Sequence, residues 1–526
     1  MAKRLSTQTA WFRFLIVILL VLGVFFRFAN LDLKVYWHDE VYTSFRIAGY
    51  TRKELVPQIF NGKVMNPEDL QKYQRPRPEK GFTDTINSLA VDDPQHPPLY
   101  YLIARLWVQL FGYSVTVIRS LSACISLLVF PCLYWLCLEL FGASLVGWVA
   151  IALIAISPFH VLYAQEAREY VLWTVTILLS SAALLQAMRL QTRLSWGIYA
   201  ATLALGFYSF LFTGLVAIGH GIYVVATVGY RWSKTTKAYL LASLATLVAI
   251  APWLFVLMTN WLQFRATTGW METIQVPQMV LIKMWGLHLI HLFIDFGLRL
   301  DHPFADLASL FFLLLVGYSI YVLCRQNSVN IWLFIVTLIG TTAIALMLPD
   351  LIFGGIRSAS NRYLIPSFLG IQVAVAYLLA TQITKNSLLQ RKIWQIITVV
   401  LLSVGVVSCA IISQSQTSWI KVVSYNLPQY AIIINQANRP ILISNDFGIN
   451  FGQIFALSYL LEPKVKLQLV VDSTIPNIPE GVGDVFILNP SDSLKKGIEK
   501  EYKSQVESVY KDEHNWLGKL SQNQLS

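Results

Sequence analysis

Two adjacent carboxylates lie in the sequence WHDE at residues 37 to 40, shortly after the first long apolar run of the chain. Repulsion between neighbouring carboxylates near an apolar interface favours protonation, so one of them can accept a proton from a hydroxyl group. Asp39 and Glu40 are therefore candidate catalytic residues. The alternative is a solvated acidic pair that ends a helix.

A histidine follows in the segment VDDPQHPPLYY, residues 91 to 101. Proline restricts the residue before it to extended geometry and suits the first turn of a helix, so His96 is predicted to lie extended before a helix that opens at Pro97. With Asp92 and Asp93 close in sequence, His96 could contact a metal ion or a phosphate. The alternative is a capped helix start without a ligand.

Ionisable side chains interrupt two apolar runs in the segment SPFHVLYAQEAREY, residues 157 to 170, namely His160, Glu166, Arg168 and Glu169. Such groups at the end of a membrane span are costly unless they are paired or used, so a functional site is the default hypothesis. The alternative is an ion pair between Arg168 and one of its flanking acids.

Two arginines, Arg357 and Arg362, lie in the segment GGIRSASNRYLIPSF, residues 354 to 368. A guanidinium group matches phosphate oxygens bidentately, so two of them at the depth of lipid headgroups suit a phospholipid-linked substrate. The alternative is a pair of arginines that reach the headgroup region without a specific ligand.

The composition indicates which elements must position these residues. Hydrophobic residues make up 56% of the chain and charged residues only 13%, whereas about a quarter of the residues in a soluble domain are charged. The net charge of +11 comes from short basic clusters between apolar runs, which is typical of membrane orientation and not of a nucleic-acid surface. The sequence therefore predicts an α-helical polytopic membrane protein.

About eleven membrane spans are expected, because a helix needs about 20 mainly apolar residues to cross the hydrocarbon core. The candidates start near residues 11, 119, 143, 170, 196, 214, 237, 304, 330, 362 and 393.

The basic residues orient these spans, because cytoplasmic loops carry an excess of Lys and Arg. With the N-terminus inside, the basic loops that become cytoplasmic contain Arg189 and Arg193, then Arg231, Lys234 and Lys237, then Arg325, then Lys385, Arg391 and Lys392. This assignment of loops to the two sides requires that residues 97 to 111 and 279 to 298 do not cross the membrane, although both segments are apolar. We expect them to be interfacial or re-entrant helices at the outer surface, which makes any active site extracytoplasmic.

The composition becomes ordinary near residue 413. Apolar runs at residues 441 to 444, 465 to 471 and 484 to 489 alternate with helix-like segments, which predicts a small α/β domain. The expected division is a membrane-embedded domain over residues 1 to 412, including an outer loop at 31 to 96, and an extracytoplasmic domain over residues 413 to 526.

In order and spacing, WHDE, HPPLYYLIARLW, SPFHVLYAQEAREYVLW and NRYLIP resemble one group of enzymes. They are similar to the GT-C class of integral-membrane glycosyltransferases, in the family 39-like branch of protein O-mannosyltransferases and lipid A aminoarabinose transferases. The resemblance spans most of residues 11 to 370. It implies a polyprenyl-phosphate sugar donor, an inverting transfer and an active site on the extracytoplasmic face of a cell membrane.

The resemblance also implies roles for individual residues. Asp39 matches the catalytic base, with Glu40 beside it. Glu166 and Arg168 match the acid and the arginine of the QEAR segment, and His96 precedes the proline pair where some relatives have a lysine. The late arginine and tyrosine near the donor phosphate match Arg362 and Tyr363. Relatives differ at Glu169, so no role is assigned to it, and the soluble domain lacks the repeats of the eukaryotic mannosyltransferases.

The resulting hypothesis is the transfer of a sugar to a hydroxyl of a lipid, glycan or protein acceptor. The donor phosphate would contact Arg357 and Arg362, with Arg168 a further candidate, and Asp39 would deprotonate the acceptor. His96, Asp93 and Glu166 would support the site or bind Mg²⁺ or Mn²⁺, and Glu166 could instead orient Arg168.

Two other classes of function fit part of the pattern. A transporter or lipid flippase also has many spans with buried charges, but here the polar residues collect at one face and no span centre carries a carboxylate pair. A receptor or assembly protein would use the C-terminal domain to bind a partner. Among partners, membrane lipids are expected and nucleic acid is not.

Overall fold

The computed structural model describes residues 2 to 229, 232 to 472 and 474 to 521, with side chains from residue 14 onward. Arg231, which was assigned to a cytoplasmic loop, lies outside the described residues. In chain order, the helices are α1 (Ala2–Phe28), α2 (His38–Ala48), α3 (Arg52–Ile59), α4 (Pro67–Gln71), α5 (Phe82–Asp92), α6 (Leu99–Phe111), α7 (Val115–Leu127), α8 (Val129–Phe141), α9 (Ser144–Ala155), α10 (Pro158–Ala164), α11 (Tyr170–Leu190), α12 (Arg193–Ser209), α13 (Thr213–Val228), α14 (Lys234–Thr259), α15 (Trp261–Thr268), α16 (Trp270–Thr273), α17 (Gln278–Phe293), α18 (Pro303–Gln326), α19 (Val329–Phe353), α20 (Ile365–Gln382), α21 (Leu388–Ser413), α22 (Leu427–Gln436), α23 (Asn450–Ser458) and α24 (Asp492–Glu501).

The strands are β1 (Asn61–Met65), β2 (Ile441–Asn445), β3 (Lys466–Val470), β4 (Val485–Leu488), β5 (Val506–Lys511) and β6 (Trp516–Leu520). Short 3-10 turns lie at Lys72–Gln74, Arg357–Ala359, Asn361–Leu364 and Trp419–Ser424. The chain forms two compact units. The membrane unit contains Met1–Ala29, Asp93–Tyr100 and Arg119–Ser413, and the second unit contains Asn30–Asp92, Tyr101–Ile118 and Gln414–Ser526.

The predicted polytopic helical fold is confirmed. Seven helical stretches of the described residues are long and apolar enough to cross a membrane: Val115–Phe141, Tyr170–Leu190, Lys234–Thr259, Pro303–Gln326, Val329–Phe353, Asn361–Gln382 and Leu388–Ser413. The pair α9 and α10, bent by 64°, makes an eighth if it is one broken span.

The other three expected spans correspond to α1, α12 and α13. Helices α12 and α13 have 17 and 16 residues. At 1.5 Å per residue they are about 25 Å long, less than a hydrocarbon core of about 30 Å. The count of eleven spans therefore stays a prediction.

The two apolar helices that were expected not to cross are short. Helix α6 has 13 residues and α17 has 16 residues. Neither is long enough to cross a core of about 30 Å by itself. Their position at the outer surface stays a prediction.

The break between α9 and α10 depends on a buried arginine. Pro158 occupies the first turn of α10, so the last carbonyls of α9 have no partner within the helix. Arg27 is 1% exposed and donates from Nη1 to the carbonyl oxygen of Ala155 at 2.7 Å and from Nη2 to that of Ile154 at 3.0 Å. A Cβ on Gly23 would lie 2.6 Å from the Ala155 oxygen, so glycine permits this close approach of α1 to α9.

A glutamine fixes the other side of the broken pair. The amide nitrogen of Gln165 donates to the carbonyl oxygens of Phe26 and Ala29 at 2.7 and 2.8 Å. These carbonyls lie at the C-terminal end of α1. Since apolar surroundings offer no water to such groups, the contacts of Arg27 and Gln165 satisfy backbone that would otherwise be costly to bury.

The second unit contains a six-stranded sheet in the order β1-β3-β2-β4-β6-β5. Strand β2 is parallel to β3 and β4, whereas the outer pairs β1–β3, β4–β6 and β5–β6 are antiparallel. Strands β2, β3 and β4 coincide with the three predicted apolar runs, which confirms a small strand-containing domain at the C-terminus. Its core contains buried aliphatic residues, among them Ile443, Ile487, Leu494 and Ile498.

Strand β1 comes from the loop at residues 31 to 96 and extends the edge of this sheet, with Val64 opposite Gln468. Residues 30 to 92 therefore group with the C-terminal segment, which differs from the expected division at residue 412. The sequence NGKVM of β1 is short and mostly polar, so it shows no strand periodicity.

Replacing Arg27 with Met should lower the free energy of unfolding by about 2 to 4 kcal/mol, because charge-assisted hydrogen bonds contribute about 1.5 to 3 kcal/mol each without full additivity. Thermal or denaturant unfolding in detergent measures this loss. Arg189→Met is the matched control: Arg189 pairs with Glu139 and is 58% exposed. An unfolding free energy for Arg27→Met equal to that of the control would contradict this account.

Candidate active site

The turn before α6 holds His96 in the membrane unit. The His96 amide donates to the Asp93 carbonyl oxygen at 2.9 Å, and Gln95 Nε2 donates to Asp93 Oδ1 at 3.3 Å. Thr267 Oγ1 donates to Gln95 Oε1 at 2.8 Å, and Trp253 Nε1 donates to the Pro94 oxygen at 3.2 Å. Four contacts therefore fix this turn, and the helix after it begins at Leu99, two residues later than predicted.

His96 contacts the segment that precedes α11. Its Nδ1 atom lies 2.8 Å from Glu169 Oε1, and Nη2 of Arg168 lies 3.2 Å from His96 Nε2 and 3.4 Å from Glu169 Oε1. Arginine has no acceptor, so its contact with Nε2 requires that this nitrogen accept the hydrogen bond. Glu169, which sequence reasoning left without a role, thus links His96 to Arg168.

Glu169 is completely buried. Burial by itself would raise the pKa of this carboxyl, but the Arg168 guanidinium and His96 outweigh burial and lower the pKa to about 2. Glu169 is therefore ionised at neutral pH and offsets part of the positive charge of Arg168.

Two arginines approach one aromatic ring at the start of α11. The guanidinium carbons of Arg168 and Arg362 lie 5.6 and 5.4 Å from the Tyr170 ring centroid, and Arg362 lies 5.4 Å from the Tyr363 ring. The ring of Phe210 lies 5.7 Å from that of Tyr170 and 5.9 Å from that of Tyr363. We call His96, Arg168, Glu169, Tyr170, Phe210, Arg362 and Tyr363 the cationic cluster.

A hydrogen bond joins the two sequence segments that supply these arginines. Tyr163 Oη donates to Asn361 Oδ1 at 2.8 Å, and both side chains are buried. The distant segments QEAREY and NRYLIP are therefore brought together. Tyr163 and Asn361 were not predicted, because neither side chain is charged at neutral pH.

Arg357 makes different contacts. Its Nη1 atom donates to Asp350 Oδ1 at 2.9 Å, and its Nη2 atom lies 3.6 Å from Glu272. Asp350 also accepts from the Ser358 amide at 2.7 Å. Two carboxylates therefore offset the charge of Arg357, and none of these partners belongs to the cationic cluster. The two arginines that looked equivalent in sequence have different surroundings.

The remaining predicted residues of the membrane unit are Glu166 and Asp93. Glu166 is fully buried in the turn between α10 and α11, where its carbonyl oxygen accepts from the Arg168 amide at 2.8 Å. Asp93 shapes the turn before His96. Over the part of the chain that the structure describes, no group of three or more His, Cys, Asp and Glu side chains is arranged to hold a metal ion. A requirement for Mg²⁺ or Mn²⁺ stays a prediction.

In the second unit, the two candidate carboxylates differ in environment. Both lie in the first turn of α2, where acidic residues favour the N-terminal end of a helix. Glu40 is completely buried, and its Oε2 atom lies 2.9 Å from Nζ of Lys421, which is 1% exposed. Asp39 is partly exposed. Asp39 is therefore the more accessible of the two, and Lys421 is a residue that sequence reasoning missed.

Comparisons with known proteins bear on the fold and the activity. Residues 95–256, fewer than half of the chain, match the family described as dolichyl-phosphate-mannose-protein mannosyltransferase. The crystal structure of ArnT from Cupriavidus metallidurans in the apo state has a TM-score of 0.56 and 12% identity, and 98% of each chain is covered. ArnT from the same organism bound to undecaprenyl phosphate has a TM-score of 0.53 and 13% identity, with 98% of this chain and 99% of that chain covered. A comparison with curated proteins finds no match.

Over 98% of its length the chain thus has the fold of ArnT, and the residues that match the family include His96 and the segment QEAREY. The chain has a GT-C fold, and its match over residues 95–256 to a mannosyltransferase family indicates a glycosyltransferase. This confirms the resemblance, the α-helical multi-pass fold and the enzyme class that the motifs predicted. The roles of individual residues in this glycosyltransferase remain predictions.

Glu169→Gln should destabilise the glycosyltransferase in a pH-dependent way. Because the pKa of Glu169 is lowered from its ordinary value of 4.5 to about 2, its ionised form stabilises the fold above pH 4.5 and this contribution disappears as the pH falls towards 2. The difference in melting temperature between wild type and Glu169→Gln should therefore be larger at pH 7 than at pH 3. The exposed Glu480 is the matched control for a Glu→Gln change. A difference that is the same at both pH values would contradict the ionised, partnered state of Glu169.

Proposed function

We propose that the glycosyltransferase moves a sugar from a polyprenyl-phosphate donor to an acceptor hydroxyl, with inversion, at the extracytoplasmic membrane face. The observation that carries this proposal is the approach of Arg168 and Arg362 to the Tyr170 ring beside His96. One solved structure with the same fold is described as bound to undecaprenyl phosphate, which supports a lipid phosphate as the donor group.

The charge of the donor changes during such a transfer. A sugar linked through phosphate to a lipid carries one negative charge, and release of the sugar leaves a phosphate monoester with a charge of about −1.5 to −2 at neutral pH. Fixed guanidinium groups stabilise the phosphate more as this charge develops than in the ground state. Arg168 and Arg362 are the proposed donor-phosphate residues, with Tyr363 supporting Arg362.

The negative charge of buried Glu169 reduces the net positive charge of the cationic cluster. It lies 3.4 Å from Arg168 and 2.8 Å from His96. Such pairing lowers the cost of holding cations in apolar surroundings before the donor binds. It also restrains the Arg168 side chain, so less conformational entropy is lost on binding.

Asp39 is the proposed base that removes the proton of the acceptor hydroxyl. Its partial exposure supports this role over Glu40, whose carboxylate is engaged with Lys421 inside the second unit. Attack on the anomeric carbon from the side opposite to the phosphate then inverts its configuration.

The direct test uses the purified full-length protein and a panel of undecaprenyl-phosphate sugars, with consumption of each donor measured with and without EDTA. Consumption of one sugar supports the proposal, and consumption of none of a broad panel contradicts it. Loss of transfer in EDTA that Mg²⁺ or Mn²⁺ restores would assign a metal requirement.

Asp39→Asn should lower the transfer rate by about 10²- to 10⁴-fold, the usual contribution of a general base, without lowering the melting temperature. Asp32→Asn is the matched control, since Asp32 is exposed and lies seven residues earlier. Retention of half the wild-type rate by a folded Asp39→Asn variant would remove Asp39 from this role.

Arg362→Met should weaken binding of undecaprenyl phosphate by about 10- to 100-fold, because hydrogen bonds to charged groups contribute about 1.5 to 3 kcal/mol. Arg357→Met should have a smaller effect, since Asp350 and Glu272 already engage that guanidinium. Binding can be measured by isothermal titration calorimetry in detergent, with the exposed Arg265→Met as control. Equal losses of affinity in Arg357→Met and Arg362→Met would contradict the proposal that Arg362 binds the donor phosphate and Arg357 does not.

A further inference from the structure

The segment that follows the last membrane helix holds the WHDE segment through several contacts, all within the second unit. The Val35 amide donates to the Gln416 carbonyl oxygen at 2.8 Å. The His38 amide donates to Ser424 Oγ at 3.2 Å. The 3-10 turn Trp419–Ser424 and the residues just before it are therefore bound along residues 35 to 38.

Lys421 contacts both residues that flank His38 and Asp39. Its Nζ atom lies 5.5 Å from the centre of the Trp37 ring and donates to Glu40 Oε2 at 2.9 Å. The same Oε2 atom accepts from the Trp37 amide at 3.5 Å, a contact from the third residue of α2 back to the residue before the helix. One ammonium group thus fixes the two ends of a four-residue turn that contains Asp39.

A second set of contacts fixes the 3-10 turn Trp419–Ser424. Ser424 Oγ donates to Gln453 Oε1 at 2.7 Å, and Gln453 is completely buried in α23. A Cβ on Gly452 would collide with His38 Nδ1, so glycine allows the imidazole to pack directly against α23. The C-terminal domain therefore restrains WHDE through both its linker and one of its helices.

We infer that Lys421 is a positioning residue for Asp39, so that the C-terminal segment is part of the catalytic apparatus and not an accessory domain. The inference rests on the proposed function, because it assumes that Asp39 is the base. Lys421 would act through Trp37 and Glu40: its ammonium group keeps the buried Glu40 carboxylate in place, and Glu40 in turn holds the start of α2. Without the cation, the buried Glu40 carboxylate would lose its opposite charge at 2.9 Å, which is costly, and would leave its position.

The test measures donor consumption by the full-length protein, with kcat, KM for the donor that wild type uses, and melting temperature determined for each variant. Lys421→Met should lower kcat on the order of 100-fold, the effect expected when a catalytic group is displaced by about 1 Å. KM for the donor should stay close to the wild-type value, because the proposed phosphate residues lie in the membrane unit. Lys421→Arg, which keeps the cation, should retain most of kcat.

A double variant separates positioning from stability. Glu40→Gln with Lys421→Met removes both charges, so no buried charge is left unpaired and the melting temperature should recover. If Lys421 positions Asp39, kcat stays low in this variant although the fold is stable. Recovery of kcat together with stability would show a merely structural pair and would overturn the inference. If Lys421→Met itself fails to fold, the kcat of the double variant decides in the same way.

Two comparisons complete the experiment. Lys519→Met breaks the 2.7 Å ion pair of Lys519 with Asp484 in the same unit and should leave kcat unchanged. Wild-type turnover by Lys421→Met beside an inactive Asp39→Asn would overturn the inference alone. Full turnover by Asp39→Asn would overturn the proposed base and the inference with it.

Discussion

An ionised side chain inside a protein is costly unless an opposite charge or several hydrogen bonds compensate it. Three sets of buried charges in this chain meet this constraint in different ways. Arg27 is surrounded by backbone carbonyls, Glu169 lies between Arg168 and His96, and Glu40 pairs with Lys421. Each set also fixes a segment of irregular backbone, so the compensation of charge and the geometry of the candidate site have the same origin.

The bent pair of α9 and α10 illustrates this connection. Breaking a helix in apolar surroundings leaves carbonyls without partners, and such a break is tolerated where other protein groups satisfy them. Arg27 of α1 donates to the carbonyl oxygens at the end of α9, and Gln165 donates in turn to the carbonyl oxygens at the end of α1. The segment QEAREY begins at Gln165, which these contacts hold. Arg168 and Glu169 therefore lie in the short turn between that residue and the start of α11 at Tyr170.

The second unit applies the same physical rule to residues that are far apart in sequence. Strand β1 of the loop at residues 31 to 96 pairs with β3, and Lys421 pairs with Glu40 across 381 residues. The first turn of α2, with Asp39 in it, is therefore restrained by the C-terminal segment. This gives the C-terminal domain a structural connection to a proposed catalytic residue of the glycosyltransferase.

The sequence by itself determined the membrane class, most of the helices and the three central strands, because hydrophobic length and periodicity follow from local solvent preference. It also predicted His96, Arg168 and Arg362 as site residues from their motifs, and the structure places these three residues together. The tertiary structure alone distinguished Arg362 from Arg357, and Asp39 from Glu40, because these pairs are alike in type and differ only in their partners. The proposed roles of Glu169 and Lys421 also depend on partners that only the tertiary structure shows. The charge and accessibility of an ionisable group depend on contacts between segments that are distant in sequence. Local sequence patterns do not predict those contacts.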